Sequence, residues 1–275
     1  MSDINTSTCF SMSNITASKT LSYFRALIDE HGIIQFTDVY KKDYVYGYAI
    51  EDQARALILA LHLGDFAQAK QLFGVLLNFK KAGVLHMLYD SKRQLWHTPK
   101  HSEEAGGQYI WALCQYYTRF SDEEILSTVE EIYQLTKIDQ YPRACSYALL
   151  GLCLLHDLTR IHTLARALVR RYEETCADSW DWFEDTLYYA NALLPWALLC
   201  AYEKTSHHKY LDIAKKSLRF LLKQTQIDGV PVAIGNHFWY FRGGKKAMYD
   251  QQPIDPAYTV IAAAKMYQIS KEQFF

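Results

Sequence analysis

Carboxylates and aromatic side chains are concentrated in residues 179–195, which lead into one of the most apolar stretches of the chain. The acids include Glu184, and the aromatics include Trp182 and Tyr188. A buried carboxylate must be paired or hydrogen-bonded, because an isolated buried charge is very costly. Aromatic rings beside acids offer the flat apolar faces on which a sugar ring stacks. The alternative is a plain helix N-terminus whose acids complement the helix dipole.

A polar stripe runs through the same segment. Glu184, Tyr188 and Asn191 follow i, i+4, i+7 spacing, which places them on one face of a helix. Asn191 needs hydrogen-bond partners if it is buried. Pro195 removes a backbone donor and is expected to kink this helix.

A second polar group opens another apolar segment, where Glu51 and Asp52 follow Tyr48. Asp52 and Arg55 share a helical face at i, i+3 spacing, so the simplest interpretation is a surface salt bridge. The other is a catalytic carboxylate that the adjacent guanidinium keeps ionised.

A third group lies in the long loop over residues 225–254. Gly-Asn and Gly-Gly pairs predict a small β-hairpin there. The hairpin either covers the core or presents His237, Trp239 and Gln252 to a binding site. Asp255 then lies near the start of the next helix.

Apolar residues recur at helical spacing along most of the chain, whereas sustained strand alternation is rare. The sequence therefore predicts an all-α fold in a single domain over residues 18–275, after a disordered Ser/Thr-rich tail over residues 1–17. The predicted helices span residues 18–30, 51–63, 65–80, 105–119, 121–137, 142–156, 158–175, 184–203, 207–224 and 255–268.

The helices from residue 51 onwards alternate between two chemical kinds. Nearly apolar helices, such as the one over residues 142–156, must be covered on most sides and are predicted to be inner helices. Amphipathic helices, such as the one over residues 207–224, are predicted to be outer helices. Inner helix, tight turn, outer helix and long loop form a repeating α/α hairpin, which gives an α/α toroid of five or six hairpins. Every inner helix then starts at the same rim, where loops build sites.

Composition excludes several classes of function. The formal net charge of -1 gives no basic surface for nucleic acid, so we expect no nucleic-acid partner. No apolar run approaches the roughly 18 residues of a membrane span. The N-terminus lacks the basic and apolar regions of a secretory signal, so we expect a cytoplasmic protein. The six cysteines are scattered without CxxC spacing, and we expect neither a metal nor a cofactor.

Several motifs, in order along residues 30–268, resemble a known superfamily. They are Gly47-Tyr48-Ala49-Ile50-Glu51-Asp52-Gln53-Ala54-Arg55-Ala56-Leu57, the segment Glu103 to Leu113, the segment Trp180 to Leu199, Gly235-Asn236 with Trp239, and Gln251-Gln252-Pro253-Ile254-Asp255. The arrangement resembles the six-hairpin glycosidase-like (α/α) toroids. It is most similar to bacterial helical domains associated with glycosyltransferases.

The chain departs from that family's pattern at four positions. Glu51 replaces an Asp, Gln53 replaces an Asn, Gln108 replaces an Arg, and Ala190 stands where the pattern has an Asp. If the lost Asp is the base or nucleophile of the family, this chain binds a glycan without cleaving it.

The resemblance and the rim residues together predict a carbohydrate-active enzyme, with a glycoside hydrolase as the leading hypothesis. We expect Asp52 and Glu184 to face each other as base and acid, and the apolar surroundings of Glu184 to raise its pKa. Glu104 and Asp255 are the reserve carboxylates. The residues expected to bind an oligosaccharide are Tyr48, Glu51, Glu104, Trp111, Arg143, Trp182, Tyr188, Asn191, His237, Trp239, Gln252 and Asp255.

Two other hypotheses remain open. One is a non-catalytic helical module that binds a glycan or a partner protein and assists a glycosyltransferase. The other is a sugar epimerase or a polysaccharide lyase on the same fold, in which His237 or Tyr48 acts as the base.

Overall fold

The computed structural model of the chain describes residues 14–39, 41–98 and 102–272, and these form ten α-helices. Most of the predicted tail, residues 1–13, lies outside the described residues. The helices are α1 (Asn14–Ala26), α2 (Ile50–His62), α3 (Phe66–Asn78), α4 (Glu103–Phe120), α5 (Glu124–Leu135), α6 (Pro142–Leu155), α7 (Leu158–Thr175), α8 (Leu193–Thr205), α9 (His208–Gln224) and α10 (Ile254–Ser270).

The helices form two layers. The inner helices contact one another in chain order, α2 with α4, α4 with α6, α6 with α8 and α8 with α10. Each of α3, α5, α7 and α9 packs on the outside of the inner helix that precedes it. Among the described residues, α10 has no outer partner and makes no extensive contact with α2. The ring is therefore an open α/α toroid, and the predicted all-α class is confirmed.

The burial of α6 and α7 agrees with their predicted layers, whereas α10, which was predicted to be a covered inner helix, buries only Asp255, Tyr258, Ala262 and Met266 because no outer helix covers it among the described residues. Every residue of α6 from Arg143 to Cys153 is buried, whereas α7 buries only a stripe that includes Ile161, Leu164 and Leu168. Three of the helices begin with a side-chain N-cap. Asp65 accepts a hydrogen bond from the Gln68 backbone at α3, and Ser102 and Asp157 cap α4 and α7 in the same way.

Helices α4 and α6 approach each other closely because small residues lie between them. A Cβ on Gly107 would lie 2.4 Å from the carbonyl oxygen of Ala144, and one on Gly151 would lie 3.0 Å from the Cα of Trp111. Since real Cβ atoms essentially never approach so closely, glycine sets the distance between these two backbones.

Short antiparallel strands lie in the segments that connect the helices. They are β1 (Ile28–Asp29), β2 (Gly32–Ile33), β3 (Phe36–Asp38), β4 (Lys41–Asp43), β5 (Tyr48–Ala49), β6 (Lys80–Lys81), β7 (Val84–Leu85), β8 (Leu88–Asp90), β9 (Leu95–His97), β10 (Thr186–Leu187), β11 (Gln226–Ile227), β12 (Val230–Pro231) and β13 (Tyr240–Phe241). The pairs are β1–β2, β3–β4, β6–β7, β10–β13 and β11–β12, and β5–β8–β9 form a three-stranded sheet.

Only one small hairpin was predicted, and β11–β12 lies in that loop. Its two turn residues, Asp228 and Gly229, have φ angles of 51° and 78°, which is the geometry of a type I′ turn. The other strand pairs were missed because two or three residues are too few to show strand alternation.

Candidate active site

The first turn of α2 places two acids side by side. Asp52 forms the expected salt bridge with Arg55 at 3.4 Å. Burial raises the pKa of Asp52, and Arg55 opposes that shift. Burial also raises the pKa of Glu51; Arg55 opposes the shift, and the carboxylates of Asp52 and Glu104 add to it. The start of α2 therefore carries two carboxyl groups that hold protons more tightly than they would in water.

A third carboxylate faces this pair from α4. One oxygen of Glu104 accepts a hydrogen bond from the Tyr189 hydroxyl at 2.5 Å, and the other accepts from the Gln108 amide at 3.3 Å. Burial and the adjacent Glu104 raise the pKa of Tyr189 above its usual value, so the phenol remains a donor. The Glu104 carboxylate is thus held at both oxygens.

These acids border a cavity of about 310 Å3, which we call the acidic cavity. Its walls come from the starts of α2, α4 and α10, with contributions from α6 and two loops. The lining residues are Gln35, Glu51, Asp52, Arg55, Glu104, Gln108, Tyr147, Tyr189, Gln252 and Ile254. The cavity therefore draws on both ends of the open ring, α2 and α10, as well as on α4 and α6 between them.

A second cavity of about 380 Å3, which we call the arginine cavity, lies beside the first. It is lined by Ser102, Glu103, Glu104, Tyr141, Pro142, Arg143, Ala144, Glu184, Tyr188 and Tyr189. Arg143 donates to Glu184 at 2.8 Å and to the backbone carbonyl of Tyr189 at 2.7 Å. Its Nη2 atom is buried and has no hydrogen-bond partner among the described residues.

Glu104 and Tyr189, which are joined by a hydrogen bond, line both cavities. Asp52 borders the acidic cavity, and Glu184 borders the arginine cavity. The pairing of Asp52 with Glu184 as base and acid stays a prediction. Glu184 is an ion-pair partner of a nearly buried arginine.

The segment before α8 is a loop, although residues 184–203 were predicted to be one helix. Helix α8 begins only at Leu193, and Pro195 occupies its first turn, where a missing backbone donor costs little. The expected kink is therefore absent. Strand β10 pairs with β13, and Ala190 has a left-handed φ of 51°. Glu184, Tyr188 and Asn191 accordingly do not form a helical stripe.

Asn191 and Asp255 join this loop to α10 below the cavities. The backbone and side-chain nitrogens of Asn191 both donate to one oxygen of Asp255 at 3.2 Å. Burial raises the pKa of Asp255 to about 6, and the hydrogen bonds from Asn191 oppose the shift. Asp255 and Asn191 line neither cavity, so we interpret them as residues that position the loop.

Three of the expected sugar-binding aromatics lie in the core. Trp182 is fully buried against Phe183 and Phe220. Tyr48 is fully buried, and its hydroxyl donates to Asp29 at 2.9 Å. Trp111 is 8% exposed and is packed beside Tyr147 and Trp196. These side chains are packed against protein rather than open to a ligand.

The two candidates in the loop over residues 225–254, Trp239 and His237, have different surroundings. Trp239 is half-buried against the rings of Tyr188 and Tyr189, which line the cavities. His237 is exposed, packs on Phe238 and borders neither cavity. Of the remaining candidates, Glu51, Glu104 and Gln252 line the acidic cavity, and Arg143 and Tyr188 line the arginine cavity.

Sequence reasoning missed Tyr189, Tyr147 and Gln35 as cavity residues. Helical spacing favoured Tyr188 over Tyr189, because the segment was assigned to a helix. Gln35 follows a strand too short to be recognised from sequence. Gln108 was noted only as a departure from the family's sequence pattern. It lies one turn after Glu104 in α4, so the two side chains share a helical face.

No group of His, Cys, Asp and Glu side chains within the described residues is arranged to hold a metal ion. In the same part of the chain, no helix is both long and apolar enough to cross a membrane.

No protein-family model matches the chain, and no curated protein matches it. Solved structures do match. Cellobiose 2-epimerase from Bacillus thermoamylovorans aligns with a TM-score of 0.76 at 14% identity, over 94% of this chain and 82% of that chain. A sugar epimerase from a ruminal bacterium gives a TM-score of 0.70 at 11% identity, over 92% and 80% of the two chains. A family 105 glycoside hydrolase from C. acetobutylicum gives 0.56 at 11% identity, over 92% and 87%.

At these identities the likeness establishes the fold. The chain has the (α/α) toroid fold of these structures, as its sequence predicted. The association with a glycosyltransferase stays a prediction.

Proposed function

We propose that the chain is a carbohydrate-active enzyme that cleaves a glycosidic bond in the acidic cavity. The observation that carries the proposal is the meeting of three carboxyl groups, from Glu51, Asp52 and Glu104, in one cavity of about 310 Å3. Glycoside hydrolysis needs an acid that protonates the leaving oxygen and a carboxylate that attacks or activates water. Groups whose surroundings differ can divide those roles between them.

Glu51 is the proposed general acid. Burial raises its pKa, and the neighbouring carboxylates of Asp52 and Glu104 add to the effect against the opposing Arg55. A raised pKa keeps a proton on the carboxyl closer to neutral pH, where it can be given to a leaving group.

Glu104 is the proposed carboxylate partner. Hydrogen bonds from Tyr189 and Gln108 fix both of its oxygens, so its orientation does not depend on the substrate. Asp52, paired with Arg55, is the alternative base. Glu184 has no place in this scheme, because protonating it would break its charged hydrogen bond to Arg143.

The second cavity suggests the size of the substrate. The arginine cavity shares Glu104 and Tyr189 with the acidic cavity, and Arg143 adds a cationic side chain to its lining. A disaccharide or longer glycan can then place one ring in each cavity, with the scissile bond near Glu104. The amides of Gln108 and Gln252 are further partners for sugar hydroxyls.

Epimerisation is the second candidate function, because two of the structural neighbours are sugar epimerases. Inverting the carbon beside a sugar carbonyl requires a base that removes a proton and an acid that returns one to the opposite face. No histidine borders the acidic or the arginine cavity. In this chain, therefore, Glu51 or Asp52 on α2 and Glu104 on α4 would have to supply the two groups.

One incubation distinguishes these functions. We would incubate the protein with cellobiose, the sugar in the name of one neighbour, and with other neutral oligosaccharides in D2O. Hydrolysis yields shorter sugars. Epimerisation yields an isomer of the same length that carries deuterium at the inverted carbon.

Glu51→Gln and Glu104→Gln should each lower turnover by about 10²–10⁴-fold, because each removes one ionisable group and keeps the shape. Glu124→Gln, on the surface at the start of α5, is the matched control and should leave turnover unchanged. Full activity in both cavity variants would contradict the assignment of these two residues. If the parent protein binds oligosaccharides in calorimetry and turns none of them over, the protein is the non-catalytic module, as the loss of an Asp at Ala190 suggested.

A further inference from the structure

A third cavity, of about 240 Å3, opens among the hairpins beside α3 and shares no lining residue with the acidic or arginine cavity. We call it the aromatic pocket. Its floor consists of Phe79, Tyr89, Trp96 and His31. Nothing in the proposed reaction uses these residues.

The rings that line the pocket pack against one another. The centroids of Tyr89 and Trp96 lie 4.5 Å apart at an interplanar angle of 31°, whereas Phe79 packs edge to face on Trp96 at 5.1 Å and His31 packs edge to face on Tyr89 at 5.4 Å. Phe79 is buried, whereas Tyr89, Trp96 and His31 keep partial exposure towards the pocket. The rings hold each other in place, so the lining is ordered before a ligand arrives.

Polar, exposed side chains form the edge of the pocket. They are Glu30, Asn78 and Lys81, one acid, one amide and one base. The Lys81 ammonium lies 4.3 Å from the centroid of the Trp96 ring. The cation-binding face of Trp96 is therefore already occupied by the protein's own cation, and a ligand cation would be repelled by it. An apolar floor with a hydrogen-bonding edge of balanced charge suits a neutral ligand that has apolar faces and hydroxyl edges.

We propose that the aromatic pocket is a second glycan-binding site, which holds one neutral pyranose unit outside the two cavities. The choice of a sugar as ligand rests on the proposed function. The pocket is smaller than the roughly 300–1,000 Å3 typical of drug-sized ligands, which fits a single ring. The apolar face of the sugar would contact the exposed parts of Tyr89 and Trp96, while Asn78 and Lys81 bond to its hydroxyls.

The pocket lies on the same rim as the acidic cavity. Tyr89 in β8 pairs with Tyr48 in β5, and α2 begins directly after β5 with Glu51 in its first turn. A glycan that is long enough to reach both sites would bind more tightly than either site alone allows.

Tryptophan-detected NMR tests the proposal, because the six tryptophans report on separate places. We would label the protein with 5-fluorotryptophan, record 19F spectra during titration with cellotetraose, and identify the Trp96 signal as the one that Trp96→Phe removes. Trp239 contacts Tyr188 and Tyr189, so its signal reports on the two cavities. We expect the Trp96 and Trp239 signals to shift with separate affinities.

Two edge variants and one control then locate the second site. Lys81→Ala and Asn78→Ala should each weaken the binding seen at Trp96 by about threefold to tenfold, as the loss of one hydrogen bond predicts, and should leave the Trp239 titration unchanged. Lys92→Ala, an exposed lysine in the β8–β9 turn that does not line the pocket, should change neither.

The outcomes separate this proposal from the proposed function. A Trp96 signal that stays fixed while Trp239 titrates overturns the second site and leaves the cavity function intact. A Trp96 signal that titrates alone supports the second site and counts against the cavity function. Equal affinities at Trp96 in the Lys81, Asn78 and Lys92 variants overturn the site, and so does the absence of any shift with cellotetraose.

Discussion

Replacing Glu184 with glutamine should destabilise the protein. The substitution keeps the shape of the side chain and removes its charge, whereas Arg143 keeps its own. The side chain of Arg143 is 8% exposed and that of Glu184 is 18% exposed, so water cannot replace the lost partner. Removing one member of a buried ion pair typically costs about 3–5 kcal/mol. Because the glutamine oxygen can still accept one hydrogen bond, we expect a loss of about 2–3 kcal/mol in the free energy of unfolding.

Thermal unfolding measures this effect. For a domain of this size each kcal/mol lowers Tm by about 2–4 °C, so Glu184→Gln should melt about 4–12 °C below the parent protein. Sequence reasoning treated Glu184 as a catalytic acid in apolar surroundings and did not predict its ion pair with Arg143.

Two further variants show whether the ion pair is the cause. Glu103 lines the same cavity and has no ion pair among the described residues, so Glu103→Gln should change the free energy of unfolding by less than about 0.5 kcal/mol. Arg143→Met should destabilise on its own, and the double variant Arg143→Met with Glu184→Gln should cost less than the two single losses together. An unchanged or raised Tm for Glu184→Gln would refute the structural role of the pair.

Three other predictions concern stability. The raised pKa of Asp255, about 6, means that the folded state binds its proton more tightly than the unfolded state does, so stability should fall as pH rises from about 4 to 6. Asp255→Asn should remove that slope and stabilise the protein above pH 6 by at most roughly 3 kcal/mol, as measured by thermal melts across pH. Gly107→Ala should cost about 1–3 kcal/mol in urea unfolding, because its Cβ would meet the Ala144 carbonyl. Gly74→Ala in α3, where the Cβ meets open space, should instead stabilise by about 0.5–1 kcal/mol.

Helices were the most predictable part of the fold. Helix α7 begins and ends at the predicted residues 158 and 175, because its apolar stripe is regular and Asp157 caps its start. The alternation of inner and outer helices from α2 to α9 followed from composition alone, since a helix that is apolar all round needs covering on most sides. Helix α10, at the open end of the ring, departs from this rule and leaves Val260 and Tyr267 exposed.

The loop before α8 could not be predicted from periodicity. A buried loop and a buried helix are both apolar, and Leu187 and Ala190 are as buried here as they would be in a helix. Contacts between distant parts of the chain distinguish the loop from a helix. Strand β10 pairs with β13, and Asn191 donates two hydrogen bonds to Asp255, which lies 64 residues later. Local sequence carries no signal for such contacts.

For the same reason, only some residues of the candidate site could be predicted from the sequence. Glu51, Glu104 and Gln252 were found because the starts of inner helices gather at one rim in a toroid. Tyr189, which lines both cavities, was missed because its hydrogen bond to Glu104 joins residues 85 positions apart.

The order of the ring has a consequence for how the chain folds during synthesis. Each inner helix contacts the inner helix that leaves the ribosome next, so α2, α4 and α6 can pack together before α8 and α10 have been made. The α4–α6 contact, the most extensive between helices of the described residues, would then form midway through translation. Contacts between chain neighbours also favour rapid folding, because little loop entropy is lost in closing them. The acidic cavity is completed last, since it needs Gln252 and Ile254 from the end of the chain. A nascent chain can therefore be largely folded while it still lacks a complete cavity.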